Sequence, residues 1–233
     1  MAEVKRLETA TDVETTRDAL HAGRVVLVQP ARGHGYRANV DALHLAAFAG
    51  GRGTVRHAWD LGAGVGAVGL SLLFQGSASR VTFVERDPFV ASLAESNLIE
   101  NGWRERGTVL HADVASGDMF PRGEADLVVS NPPYVPEGRG RPPKAATRSA
   151  RSGDVLAFLA CARVLLARRG RAVFVYPAVE LVSFLSAARS RGLEPKRLRF
   201  VHGRSGDVAR IVLLELAAGK PGGLVVDPPL VEG

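Results

Sequence analysis

Trp59-Asp60-Leu61-Gly62-Ala63-Gly64-Val65-Gly66-Ala67-Val68-Gly69-Leu70 joins a short apolar run, Val55 to Leu61 with Arg56 and His57 in it, to a helical pattern that continues to about Gln75. An apolar run of that length reads as a strand, and glycines at alternate positions after it read as a turn directly into a helix. Glycine at such a junction lets a ligand approach the main chain closely. About twenty residues on, Val81-Thr82-Phe83-Val84-Glu85 reads as a second strand that ends in an acid, placed to bind a ribose diol. Further strands are expected at Gly107–His111, Ala125–Ser130, Ala172–Tyr176, Arg197–Val201 and Arg210–Leu216. Helices are expected at Gly66–Gln75, Pro88–Asn101, Asp154–Ala167 and Val179–Arg191, with Gly102, Gly170 and Gly192 as the glycines that end the last three. Alternation of this kind predicts an α/β, Rossmann-like fold: a seven-stranded, mostly parallel sheet with helices on both faces. The last two strands lack a helix between them, which predicts an antiparallel hairpin at one edge.

The second informative stretch is Asn131-Pro132-Pro133-Tyr134, directly after the Asp126–Ser130 run. It falls at the carboxyl end of a strand, where open α/β sheets bind their ligands. Two prolines supply no amide donors and hold the chain extended, so the carbonyls beside them stay free as acceptors. Asn131 adds a side-chain carbonyl and Tyr134 a flat aromatic face. Together they suit a planar substrate bearing an NH2 group. Alone, the tetrapeptide is equally a proline-rich exit from a strand. The glycine loop, the spaced acid and the tetrapeptide gain their weight together.

That set resembles the class I S-adenosylmethionine-dependent methyltransferases that act on amino nitrogens. A dinucleotide enzyme would show Gly-x-Gly-x-x-Gly, whereas the spacing here is Gly62-x-Gly64-x-Gly66. The resemblance implies S-adenosyl-L-methionine as cofactor, released as S-adenosyl-L-homocysteine. It implies Asp60, Gly62, Ala63, Gly64 and Gly66 at the cofactor's amino acid end, Glu85 with Arg86 at the ribose, and Asp113 with the Val114 amide at the adenine. Asn131, Pro132, Pro133 and Tyr134 become the catalytic motif, with Asn131 also facing the cofactor. Against these roles stand the plainer readings of Asp113 as a turn or capping acid and of Glu85 as a solvated charge, the latter disfavoured by its strand-end position.

Upstream, Thr16 to His21 reads as a short helical turn and Val25–Gln29 as β-like. Val40–Gly50 reads as a helix capped by Asn39 or Asp41, with Val40, Leu43, His44, Ala47 and Phe48 on one face. The pattern Gln29-Pro30, Gly35-Tyr36-Arg37, then Asp41-Ala-Leu-His-Leu-Ala-Ala-Phe48 is similar to the N-terminal segment of the bacterial tRNA(Val) adenine N6-methyltransferases. Members of that family methylate the exocyclic amine of the adenosine 3′ of the anticodon. The similarity puts Tyr36 and Arg37 over the cofactor; the plain alternative is a packing extension. Residues 1–50 are thus expected to form an N-terminal extension, 51–218 the methyltransferase domain, and 219–233 a tail similar to the same family's C-terminal segment.

The chain has 233 residues, 46% hydrophobic and 23% charged, enough for one α/β domain with a full core. Cys161 is the single cysteine, which rules out an intrachain disulfide. No run is long enough to span a bilayer, and the acidic N-terminus is no signal peptide, so the expected compartment is the cytoplasm. The six histidines are scattered without metal spacing, and no metal is expected. The net charge of +6 favours a polyanionic partner only where it clusters. It clusters after Tyr134, where Arg139, Arg141, Lys144, Arg148 and Arg151 stand against Glu137 alone. A basic loop beside the catalytic motif suits RNA phosphates, a tRNA above all; the plain reading is a solvated linker.

The function expected is N-methylation of an exocyclic RNA amine, adenine N6 of a tRNA near the anticodon. Release-factor glutamine N5-methylation fits the same acceptors. Those enzymes usually carry a helical N-terminal domain, and fewer than sixty residues precede the glycine-loop stretch that starts at Trp59. Ribosomal RNA guanine N2-methylation and DNA adenine methylation rank next, and a non-catalytic RNA chaperone is the reading from a different class. The sequence leaves the oligomeric state open.

Overall fold

A computed structural model describes residues 13–34, 37–133 and 155–233. They begin with an antiparallel hairpin, β1 (Thr15–Leu20) and β2 (Val25–Pro30). The segment expected to be a helical turn is therefore a strand. Its local sequence is ambiguous, and pairing with the apolar β2 resolves it. Helix α1 (Val40–Gly50) follows, N-capped by Asn39, whose side chain accepts from the Asp41 amide. Its buried face is Asp41, Ala42, Leu45, Ala46, Phe48 and Ala49. Val40 is 46% exposed, so the face differs from the one expected. The helix is apolar nearly all round, and a weak stripe lets tertiary packing choose the orientation.

The α/β alternation then runs β3 (Val55–Leu61), α2 (Ala67–Phe74), β4 (Ala78–Glu85), α3 (Pro88–Glu100), β5 (Gly107–His111), β6 (Ala125–Ser130), α4 (Val155–Leu165), β7 (Leu166–Pro177), α5 (Leu181–Ser190), β8 (Leu193–His202) and β9 (Ala209–Ala218). Two short strands close it, β10 (Val225–Val226) and β11 (Leu230–Val231). The sheet order is β10-β8-β9-β7-β6-β3-β4-β5, with β11 also on β8. Strands β3 to β7 pair in parallel, and β9 runs antiparallel between β7 and β8. The seven expected strands and the antiparallel edge are all present. The count is nine because the tail adds β10 and β11, whose two-residue length gives no periodic signal.

One core packs α1, α2, α3 and the hairpin on one face of the sheet, and the other packs α4 and α5 on the opposite face. Helix α4 ends at Leu165, five residues before Gly170. Gly170 is thus not the glycine that ends the helix; it lies in β7, where a Cβ would sit 2.4 Å from the Ala125 carbonyl oxygen. It permits a close strand approach at a register shift between β6 and β7. Gly102 and Gly192 do follow α3 and α5 with positive φ, 71° each. Cys161 is buried, which pushes its thiol up to about 12. Among the described residues no helix is long and apolar enough to cross a membrane.

Candidate active site

The crevice is built where β3, β4 and β6 end side by side. After Leu61 the backbone takes positive φ at every second residue: 65° at Gly62, 57° at Gly64 and 91° at Gly66. Residues with a Cβ rarely adopt these angles, which is why the glycines alternate. A Cβ on Gly62 would also lie 2.9 Å from the Phe158 ring of α4. The Ala63 amide donates to the Val84 carbonyl at 2.9 Å, fastening the loop to β4. Gly66 is the N-cap of α2 and carries no capping side chain.

Asp60 lies on the β3 face that looks at α2. It is 1% exposed, and its Oδ2 accepts from the Gly69 amide at 2.9 Å. Burial pushes its carboxyl up to about 7, against the Gly69 hydrogen bond and with the help of the nearby Glu85 charge. Such an acid is poised to ionise when a cation arrives. Glu85, at the end of β4, accepts from the Gly64 amide through Oε2 and from the Arg86 and Asp87 amides through Oε1, each at 2.9 Å. It is therefore an integral part of the glycine loop rather than a solvated charge. Asp113 follows β5 and accepts from the Ala115 amide at 2.8 Å, the turn-acid contact, while its Oδ2 lies 3.9 Å from Arg86. Val114 beside it is buried.

Asn131 and Pro132 leave the end of β6, anchored by the Ser130 hydroxyl, which donates to the Leu61 carbonyl at 2.8 Å. Asn131 lines one cleft together with Ala38, Asp60, Gly62, Ala63 and Gly64. The two sequence motifs thus meet, and Ala38 brings the N-terminal segment to the same cleft. Arg37 next to it donates to the Thr16 hydroxyl, the Pro30 carbonyl and Asp18, tying down the hairpin. Tyr36, Tyr134 and the basic residues Arg139, Arg141, Lys144, Arg148 and Arg151 lie outside the described residues.

Two asparagines, Asn97 in α3 and Asn101 at its C-cap, carry a role that the sequence reading missed. Asn101 accepts from the Val26 amide and donates to the Val26 carbonyl. Asn97 does the same with Val28 and also donates to the Val65 carbonyl of the glycine loop. Each side-chain amide stands in for a strand partner of β2, so α3 holds the hairpin as a third strand would. An Asn pair spaced by four on a predicted helix is the only signal, and it names no partner.

The cleft suits an S-adenosylmethionine molecule on observations of this chain. Three positive-φ glycines leave alternate positions of the loop without a side chain, the buried Asp60 carboxyl faces the same cleft, and a second carboxylate, Glu85, stands at the neighbouring strand end. Among the described residues no group of three or more His, Cys, Asp or Glu converges as for a metal. The parallel sheet with one antiparallel strand, the loop and the two acids define a class I S-adenosylmethionine-dependent methyltransferase.

Comparisons with known proteins narrow the class. Residues 42–177 match the family described as methyltransferase small domain. The chain is 31% identical over 189 residues to the Tolumonas auensis protein named tRNA1(Val) (adenine(37)-N6)-methyltransferase, covering 79% of this chain and 77% of that one. It is 30% identical over 162 residues to the protein of the same name from Aliivibrio salmonicida, covering 68% of each. The fold is similar to an Agrobacterium tumefaciens protein described as a predicted O-methyltransferase, with TM-score 0.63 and 24% identity over 80% of this chain and 86% of that one. It is also similar to M. jannaschii TYW2 in complex with AdoMet, with TM-score 0.59 and 12% identity over 88% and 87%. The chain belongs to the methyltransferase small domain family.

Proposed function

We propose that this enzyme methylates the exocyclic N6 of an adenine in tRNA, next to the anticodon. The observation that carries the reading is Asn131 lining the same cleft as Asp60 and the glycine loop. The names of the relatives choose adenine among the amines that this geometry accepts.

S-adenosylmethionine, when bound, supplies a methyl group made electrophilic by its sulfonium. Gly62, Ala63, Gly64 and Gly66 receive its amino acid end, and Asp60 takes the ammonium as a carboxylate. Glu85 keeps lone pairs beyond its three amide partners for the ribose hydroxyls, with Arg86 beside it. Asp113 and the Val114 amide take the adenine. The Tyr36–Arg37 segment covers the cleft, with Arg37 acting through the hairpin. Asn131 and the Pro132 carbonyl accept the two N–H bonds of the target amine. That turns its lone pair toward the methyl and stabilises the positive charge that develops on nitrogen. Pro133 keeps the acceptors exposed by holding the chain extended, and Tyr134 stacks on the base. With the methyl on nitrogen and S-adenosyl-L-homocysteine released, the amine's surplus proton would depart to solvent, so these residues would need no strong base among them. The basic segment from Arg139 to Arg151 meets the phosphates, and the compartment is the cytoplasm. Incubating the protein with labelled S-adenosylmethionine and separate tRNA, ribosomal RNA and release-factor pools tests the reading. Label on tRNA recovered as N6-methyladenosine supports it; label confined to a release factor overturns it.

A further inference from the structure

Arg122, Arg163, Arg168, Arg169 and Arg191 gather at one corner, at the opposite end of the sheet from the crevice. Arg168 and Arg169 sit in the register shift where β7 leaves Leu166, paired with Ala125, and rejoins β6 at Arg171, paired with Leu127. Arg163 is in the last turn of α4. The turn that carries Arg122 docks there through the Gly123 amide, which donates to the Val164 carbonyl. The Arg163 Nε lies 3.7 Å from where a Gly192 Cβ would be, which brings Arg191 alongside. All five are exposed. None of their side chains has an ion pair or a hydrogen bond among the described residues, whereas Arg52, Arg56 and Arg189 near the same end pair with Glu215, Asp126 and Glu194. Glu124 is the nearby acid in that turn, and among the described residues its side chain has no ion pair either.

Clustered unpaired arginines repel one another and add nothing to folding, so their use is external. Phosphates fit best, because guanidinium forks match them in geometry and charge. The route from crevice to corner is open to a polyanion. Between Val155 and Ser190 the one acid is Glu180, and neither α4 nor α5 holds any. Helix α3 on the other face carries Glu95 and Glu100. Strand β6 separates corner from crevice by roughly 20 Å, a span that one short RNA duplex covers. We propose that this corner binds the sugar–phosphate backbone of a duplex arm of the RNA substrate, which lies along the α4–α5 face while its target base enters the crevice. This rests on the RNA reading above.

The test compares Arg168→Glu/Arg169→Glu with Arg17→Glu/Arg104→Glu, an equal charge change at two arginines that pair with Glu100 and Glu95 on the α3 face. Affinity for unfractionated tRNA is measured between low and moderate salt, with methyl transfer to the same tRNA assayed alongside. The corner variant should bind at least about fivefold more weakly at low salt, and its slope of log affinity against log salt should be shallower by about 0.7–0.9 for each phosphate that it no longer neutralises. Its affinity for S-adenosylmethionine and its melting temperature should match the wild type. Equal slopes for the corner variant and the wild type, or equal losses in the two variants, overturn the proposal. Absence of transfer to tRNA by the wild type, with the slope difference intact, defeats the RNA-methylation reading and leaves the corner standing.

Discussion

Asp60 shows how one residue's environment sets its chemistry. A carboxyl held at about 7 is substantially protonated below neutrality, and only the ionised form pairs with an ammonium. Affinity for S-adenosylmethionine should therefore tighten as pH rises from 6 towards 7.5, and Asp60→Asn should lose that dependence; calorimetry at each pH checks it. The stability sign is the reverse. The folded-state pKa lies above the unfolded one near 3.8, so the folded state holds the proton more tightly. Its contribution is present below about 4 and is lost as pH rises through about 7. The ligand-free wild type should lose stability across that window relative to Asp60→Asn in chemical denaturation. Glu85→Ala removes an ionic acceptor from three amides and should weaken cofactor binding by roughly 1.5–3 kcal/mol. Unchanged affinity in a folded variant removes Glu85 from the site. Asn131→Ala should abolish transfer and leave cofactor affinity nearly unchanged, because its acceptor serves the substrate amine; loss of cofactor binding instead would refute that division. The places of Asp60, Glu85 and Asn131 were legible in sequence because each stands at the end of an apolar run that reads as a strand. The burial of Asp60 and the loop bonds of Glu85 were not, since both depend on how α2 and the glycine loop close over them.

At the level of elements, the hairpin, α3 and the glycine loop form one unit through Asn97. Its buried amide serves the Val28 amide and carbonyl and the Val65 carbonyl. Asn97→Leu strands these groups, at roughly 1–3 kcal/mol for each one left unsatisfied. Asn101→Leu breaks only the Val26 pair and the α3 contact to the Asn97 carbonyl. Both variants should melt lower, but Asn97→Leu should also weaken S-adenosylmethionine binding because it frees the loop. Equal cofactor affinity in the two variants would reduce Asn97 to a structural clasp. Pro88 at the first turn of α3 and Gly102 after its end announced that helix from sequence alone. The clasp did not show, because Asn97 and Val28 are 69 residues apart and no local pattern links them.

The whole molecule is closed by its tail. Asp227 lies 3.4 Å from Arg197 and 3.1 Å from Arg199, and Arg197 stacks 3.9 Å over the Phe48 ring of α1. Arg210 joins three elements: β9, the tail through Glu232, and the 1% exposed Asp41 at the start of α1, at 2.7 Å. Glu232 also meets His44 at 2.8 Å, and the Arg210 hydrogen bond holds its carboxyl below the usual range. Arg210→Met leaves Asp41 buried without its cation. It should cost about 3 kcal/mol, the low end for a buried pair because the Arg210 side chain is 39% exposed. Denaturant titration reads this, and an unchanged midpoint would show that the Asn39 side-chain amide, which donates to Asp41 Oδ2 at 3.1 Å, suffices for that carboxylate.

Periodicity, glycine spacing and proline placement sufficed for the order of strands and helices, the antiparallel edge, the glycine loop and the place of Asn131 and Pro132 at a strand end. Each of these is local: a repeat of two or 3.6 residues, a positive φ, or a missing amide acts within a few positions of the residue that causes it. Contacts across the fold settled the rest. The Thr16 segment became a strand because β2 offered it a partner, and α1 turned a different face inward because its apolar surface runs nearly all round. Two asparagines replaced a strand, and a tail of unremarkable sequence extended the sheet beyond β8. The arginine corner forms only when β6, α4, β7 and α5 bring side chains from positions 122 to 191 together. Charge along a chain says how many cations there are; which of them find an acid is a property of the packed structure.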